Sequence, residues 1–585
     1  MKSVLTLLLL ASWVLISPLQ IRIVKAENNI YIRTDGSVEG TDKIQRYGDM
    51  YIFTGDIEGS VVMERDGIVL DGGGYTLRGT GSGKGVDLSG IRKNVTVQNC
   101  NIKKFHAGIY IGGPYTGAYG EEGGNTIAGN NVTNNTYGIW LKNSPDNVFE
   151  NNTLTDNEYN IVFNPTTRLF YTRQKIEASN SVNGKPVYYW VEEENRTVPL
   201  DAGYVALIDC KNTTVQNLNL SKNGDGLLLF RTTDSTIANN TLMSNKVGIQ
   251  LSESSSNTIL GNHLTKNGYG IQFLASPNNT LRNNRMCDNQ QNLIVDFAGA
   301  FTQDIDSTNS VNGKPVYYWV EQKGKTVPLD AGYVALIKCT NITVHNLRLT
   351  DREWNGINLV STTNSKITQN TIKNKEMGIY LRASSNNTIS DNVIANNGRG
   401  ISLNGVWPYP PNNNEIYRNI IRNNGRGIWI FNSPDNWIYD NNITNNGDGI
   451  YISPGEGSKN NTFYSNNFIN NTAKAPGMWQ IVGISHEVYT PPLPNAWDYD
   501  KKGNYWSDYT TRYPNATIIN GSQWSVPYNI SENNQDNYPL IEPVDTEAST
   551  KTPSFPVSWV LTVLVVTVIV TVVWWGYQRT VEEEL

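Results

Sequence analysis

Charge, cysteine and histidine are all scarce in this chain. Asp, Glu, Lys and Arg make up only 17% of its 585 residues, and the net charge is −6. That leaves no basic surface of the kind a nucleic-acid partner needs. There are four cysteines. Cys210 and Cys339 occupy equivalent places in a duplicated unit, too far apart to be bridged. Cys100 falls in an apolar strand run. All four are expected to be free, mostly buried thiols, so disulfides do not hold this protein together. The four histidines, His106, His263, His345 and His486, share no spacing phrase, and Met286-Cys287 has no histidine close in sequence. The soft-ligand cluster that copper requires is missing, and no metal or other cofactor is expected. Asp498, Asp500, Gly503 and Asn504 resemble an oxygen-ligand loop. They lack the later ligands and enclose Lys501 and Lys502, which reads as a turn. Long apolar runs are confined to the two ends. Residues 1–26 carry Lys2, the run Val4 to Ile16 and a small-residue site at Val24-Lys25-Ala26, the pattern of a secretory signal. Residues 557–577 are uncharged and long enough to span a bilayer once. Trp574, Trp575 and Tyr577 lie at its end and Arg579 just beyond. Residues 544–556 are then a stalk, and 578–585 a cytoplasmic tail.

What is abundant is a 22-residue beat. An Asn-Thr-Ile phrase recurs at Ile237, Ile259 and Leu281, at Ile367 and Ile389, and at Ile416 and Ile438. A Gly-Ile-x-Leu phrase keeps the same time at Gly248 and Gly270, Gly378 and Gly400, Gly427 and Gly449. A fixed period of this size marks a solenoid. Its alternating β-branched runs, broken by Asn, Gly and Ser, are strand chemistry. The spacing predicts an all-β, right-handed parallel β-helix with about three short strands per coil. Inward Ile and Leu would form ladders along the axis. Residues 27–93 would begin and cap the solenoid, because an open end exposes strand edges. Residues 94–472 would continue it, and 473–543, with Trp479, Trp497, Trp506 and Trp524, would close it.

A longer repeat lies over the short one. Asn183-Gly184-Lys185-Pro186-Val187-Tyr188-Tyr189-Trp190-Val191 returns at Asn312 to Val320, and Val198-Pro199-Leu200-Asp201-Ala202-Gly203-Tyr204 at Val327 to Tyr333, an offset of 129 residues. The phrase reads as a hairpin protruding from a coil, with its aromatics either covering a coil junction or forming ligand-binding arms. These phrases and the stacked Asn-Asn-Thr-Ile pattern resemble the NosD-like right-handed parallel β-helix family of carbohydrate-binding and sugar-hydrolase repeats. So does Gly503-Asn504-Tyr505-Trp506-Ser507-Asp508-Tyr509, followed by Asn537-Tyr538-Pro539-Leu540. The phrases look like those of archaeal cell-surface members, and the resemblance covers roughly residues 30–543. It implies the fold and leaves activity open, since such folds host many roles.

Three classes of function remain. The first is glycan binding without catalysis. The x of Gly-Ile-x-Leu points outward and reads Asn358, Tyr380, Ser402, Trp429 and Tyr451 in the later coils, Gln250 and Gln272 in the middle, and Tyr110 and Trp140 in the early ones. Two residues before each Ile stand Arg399, Arg426 and Asp448. Gly405 to Pro411, with Trp407 and Tyr409, carries five extra residues that must leave as a loop beside this stripe. Aromatic faces stack on sugars and Arg binds carboxylates. Tyr380, Arg399, Trp407, Tyr409, Arg426, Trp429 and Tyr451 are therefore the candidate site for an extended polysaccharide, acidic or neutral. The second class is a polysaccharide lyase or glycoside hydrolase. Such an enzyme needs two carboxylates at about 5–9 Å, and Asp225, Asp440 and Asp448 form no evident pair. The third is a structural or assembly protein of the envelope. Sequons outside the repeat, at Asn195, Asn515, Asn520 and Asn529, are the better glycosylation candidates. The combined expectation is a single-pass protein of the cell membrane with its solenoid outside.

Overall fold

The computed structural model describes residues 29–90, 92–112, 123–164, 168–295, 302–406, 408–453, 457–471, 488–489 and 494–545. The expected signal segment, the membrane span, the tail and most of the stalk lie outside them, as do Trp407 and Trp479. Among the described residues no helix is long and apolar enough to cross a membrane.

Each coil carries three short strands because its apolar residues come in three alternating groups separated by Asn, Ser and Gly. In one coil these are Thr236–Ala238, Thr241–Met243 and Val247–Ser252. Each pairs in parallel with its counterpart one period on: Ile237 with Ile259, Leu242 with Leu264, Ile249 with Ile271. The ladder residues Ile237, Ile259, Ile367, Ile389, Ile416 and Ile438 are all fully buried. The corners explain the paired asparagines. Asn239 takes the left-handed conformation, φ 53°, that a tight corner needs. Asn240 turns inward and is buried. Its Nδ2 donates to Asn262 Oδ1 at 3.0 Å and to the Val215 carbonyl at 3.0 Å, and its backbone N–H donates to Asn262 Oδ1 at 2.9 Å. Asn262, Asn284 and Asn309 continue this ladder. A buried amide that satisfies backbone groups one coil away fixes the stacking register as firmly as the aliphatic ladders do.

The long repeat is where the solenoid is re-threaded. Strand Ser181–Val182 ends a row of second strands and pairs antiparallel with Lys185–Val191, which pairs in parallel with Tyr204–Ile208. The second row of one segment thereby continues as the third row of the next, in one 12-stranded sheet. The same happens at Ser310–Val311, Lys314–Val320 and Tyr333–Ile337, within a 13-stranded sheet. The hairpin is thus no protrusion. Its Val-Tyr-Tyr-Trp strand is part of the wall, because alternation puts Val187 and Tyr189 into the core. Tyr188 Oη donates to Asp201 Oδ1 and Tyr317 Oη to Asp330 Oδ1, each at 2.9 Å, so the repeated acid ties a turn to the hairpin strand. Three buried clusters follow, over 30–230, 198–380 and 327–528.

The ends are closed differently. At the N-terminal end, Asn29–Ile32 pairs antiparallel with Val38–Glu39, and Ile44–Tyr47 with Met50–Phe53. At the other, Trp497 stacks on Phe463 at 4.2 Å and Trp506 on Phe468 at 4.5 Å, and Tyr528 lies 4.0 Å from Trp506. Large rings finish the ladder that Ile and Leu began. The four cysteines are free thiols, and burial pushes Cys210 up to about 11 and Cys100 up to about 12, which makes both inert.

Candidate functional site

The outward positions of the later coils are in register. Strand pairing aligns Asn358, Tyr380, Ser402, Trp429 and Tyr451 in one line and Met377, Arg399, Arg426 and Asp448 in another. Alternation between inward Ile428 and Ile430 turns Trp429 outward. It is half-buried, as are Tyr451, Arg399 and Arg426. The Arg399 guanidinium sits 4.0 Å from the Trp429 ring centre, and Arg426 sits 3.8 Å from that of Tyr451. Arg426 also pairs with Asp448 at 3.3 Å. Among the described residues Arg399 has no carboxylate within ion-pair distance. Desolvation, followed by its neighbour Arg426, pulls its pKa down. A half-buried cation beside a second cation is a place for an anion. Trp429 Nε1 donates to Ser453 Oγ at 2.7 Å and its ring lies beside Phe431, with centres 5.8 Å apart. The two rings form a platform at the foot of the loop that carries Tyr409, which is 70% exposed.

One expectation is corrected. Tyr380 is not part of an open face: it is 5% exposed and belongs to the buried cluster of Tyr318, Tyr333 and Val295. Ser402 and Asn358 are fully buried as well. These coils follow the second re-threading, where the outward side still packs on the preceding segment. The early, middle and late stripes lie on separate lines. Trp140, Gln250 and Trp429 stand in three different sheets, since each hairpin passes the row to a new side.

Sequence reading missed a second aromatic column. Tyr417, Tyr439 and Tyr464, each next after a ladder residue, stack at 4.9 and 5.1 Å with nearly parallel planes. Trp437 and Tyr499 flank Tyr464. The period that aligned the isoleucines aligns these residues too, so the signal was present one position further on. Their faces are occupied by one another, which suits coil cohesion more than ligand stacking. Sequence reading also missed that the 22-residue period brings His263 Nε2 within 3.6 Å of Cys287 Sγ. The sequons Asn195, Asn515, Asn520 and Asn529 are all exposed.

With this geometry in place, residues 310–511 match the family model described as periplasmic copper-binding protein (NosD). Residues 54–191, 116–286 and 195–319 match the right-handed beta helix region. Neither match spans half of the chain; with the strand topology they mark a parallel β-helix whose residues 310–511 are similar to a NosD domain. Copper does not fit the described residues of that domain. Cys339 is buried against the Trp319 and Ile337 carbonyls, and His345 meets Asn346. No group of three His, Cys, Asp or Glu suited to a metal occurs among the described residues. No curated protein matches the chain. Among solved structures, the Azotobacter vinelandii mannuronan C-5 epimerase AlgE4 A-module is 14% identical over 68% of this chain and 90% of that one, with a TM-score of 0.21. The catalytic unit of a GH87 alpha-1,3-glucanase from Streptomyces thermodiastaticus is 14% identical over 63% of this chain and 61% of that one, with a TM-score of 0.18. Overlaps this loose carry nothing about chemistry.

Proposed function

We propose that this is a membrane-anchored, cell-surface β-helix protein that binds an extended acidic polysaccharide without transforming it. The observation that supports this most is Arg399, a half-buried guanidinium with no carboxylate at ion-pair distance among the described residues, held over Trp429 and next to Arg426 and Tyr451. A sugar acid offers Arg399 the carboxylate it lacks, and the Trp429–Phe431 platform offers the sugar ring an apolar surface. Tyr409 on the neighbouring loop extends that surface. Arg399 already lies over one face of Trp429, so the sugar meets that ring on its other face or its edge. Binding is then weak per sugar and accumulates along a polymer.

Affinity electrophoresis of the full-length chain in polygalacturonate, and in the same polymer with its carboxylates reduced, tests the reading. Trp429→Ala should weaken binding to the acidic polymer several-fold and leave the thermal transition in place, since the ring lies outside the core. Arg399→Gln should remove the preference for the acidic form, and raised salt should weaken binding of the wild-type chain. Equal retardation by both polymers, or an unchanged double variant Trp429→Ala/Tyr451→Ala, overturns it.

A further inference from the structure

At the first re-threading a cavity of about 360 Å³ opens between the last strand of one row and the first strands of the next. Strand Tyr159–Phe163 ends there, strand Asp225–Phe230 begins beside it, and Tyr171 from a short helix closes one side. Asp225 lines this cavity at 5% exposure. Its carboxylate has no hydrogen bond or ion pair among the described residues; exposed Lys246 acts on it only through its field. Around it, Gln250, whose side chain hydrogen-bonds Tyr171, and Gln272 stand outward on adjacent coils, and Tyr269 presents a half-buried ring.

Among the described residues the second re-threading is built differently at this place. There the register places Asn355, Met377 and Arg399 where the first has Asp225, Val247 and Tyr269. Tyr380 stands in the place of Gln250 and is buried in the junction's core cluster. One copy of the duplicated unit fills its junction with a tyrosine. The other keeps it open and aims a buried acid into it. An unpartnered buried carboxylate burdens folding, so its placement in a cavity points to a ligand.

We propose that this junction cavity is a second, separate carbohydrate site that takes one or two neutral sugar units, held by Asp225, Gln250, Gln272 and Tyr269. The volume lies at the small end of ligand pockets. A carboxyl and two amides supply the mixed acceptors and donors that vicinal hydroxyls require, and Tyr269 supplies a ring for a sugar face. Lys246 and Glu253, both exposed at the rim, are of opposite sign and select for no net charge. The site does not rest on the acidic-polymer face, which lies in another sheet.

The test is calorimetric titration of the purified full-length chain with glucose, mannose, N-acetylglucosamine and the β-1,4 disaccharide of each. At least one should bind. Asp225→Asn and Gln272→Ala should each weaken that binding about tenfold or more, as loss of a buried hydrogen-bonding group does. Gln250→Tyr, which copies the second junction, should abolish binding while the melting temperature stays level or rises. Trp429→Ala should leave this binding untouched. If none of these sugars binds, or if Gln250→Tyr binds as the wild type does, the proposal is wrong. It also fails if Trp429→Ala removes the same binding, because the sugar then sits on the other face.

Discussion

Two neighbouring asparagines do different work at each corner, and only one of them needs to be asparagine. The first position accepts Gly261, Gln369 or Arg418 with the same positive φ, whereas the second, as at Asn262, builds the buried ladder. Asn262→Leu keeps the volume and strands the backbone N–H of Asn240 and the carbonyl of Ile237. Two buried groups left unpaired should lower unfolding free energy by roughly 2–4 kcal/mol, read from urea denaturation. Asn239→Gly should change it little. Asp225 makes the opposite case. Burial raises its pKa from 3.8 to about 7. The folded state therefore holds a proton that the unfolded state releases above pH 4. Stability should fall as pH rises from about 4 to 7, at up to about 1.4 kcal/mol per pH unit. Lys246 opposes the shift, Tyr171 and Tyr204 stay protonated because burial holds both far up, and Glu253 and Tyr269 lie on the same cavity. Asp225→Asn should flatten that slope and stabilise the chain at pH 8, as thermal melts across pH would show. The acid was visible in the sequence; its isolation was not, because Tyr171 and Phe163 reach it only through the re-threading.

The coil is the element that folds, and each coil touches its neighbours alone. Deleting Met243–Leu264 removes one full period and rejoins Leu242 to Thr265 in register. The product should keep a cooperative thermal transition by circular dichroism. Deleting half a period, Met243–Glu253, should destroy it, because inward and outward positions then exchange. Strand alternation read from the sequence placed Ile428 and Ile430 inside and Trp429 outside, as found. It failed for Tyr380, because alternation says which side of the wall a residue faces and nothing about what lies beyond the wall.

At the scale of the molecule, three segments are joined by two copies of one hairpin, and each copy passes the sheet to a new side. The proposed acidic-polymer face and the proposed neutral-sugar cavity thereby point in different directions from one solenoid. Anchoring is tested at this scale too. Expression ending before Val557 should release a soluble protein with the same melting profile as the full-length chain. Continued sedimentation with membranes would mean a second anchor. The sequence by itself determined the period, the strand chemistry, the buried ladders and the register, since one repeated 22-residue pattern imposes all four locally. Only the tertiary structure decided that the hairpin is a seam in the wall, that Tyr380 is plugged into it, and that Asp225 faces a cavity. The last two depend on contacts between segments more than 50 residues apart, such as Gly224 with Ile161 and Glu353 with Asn292, which no local period encodes.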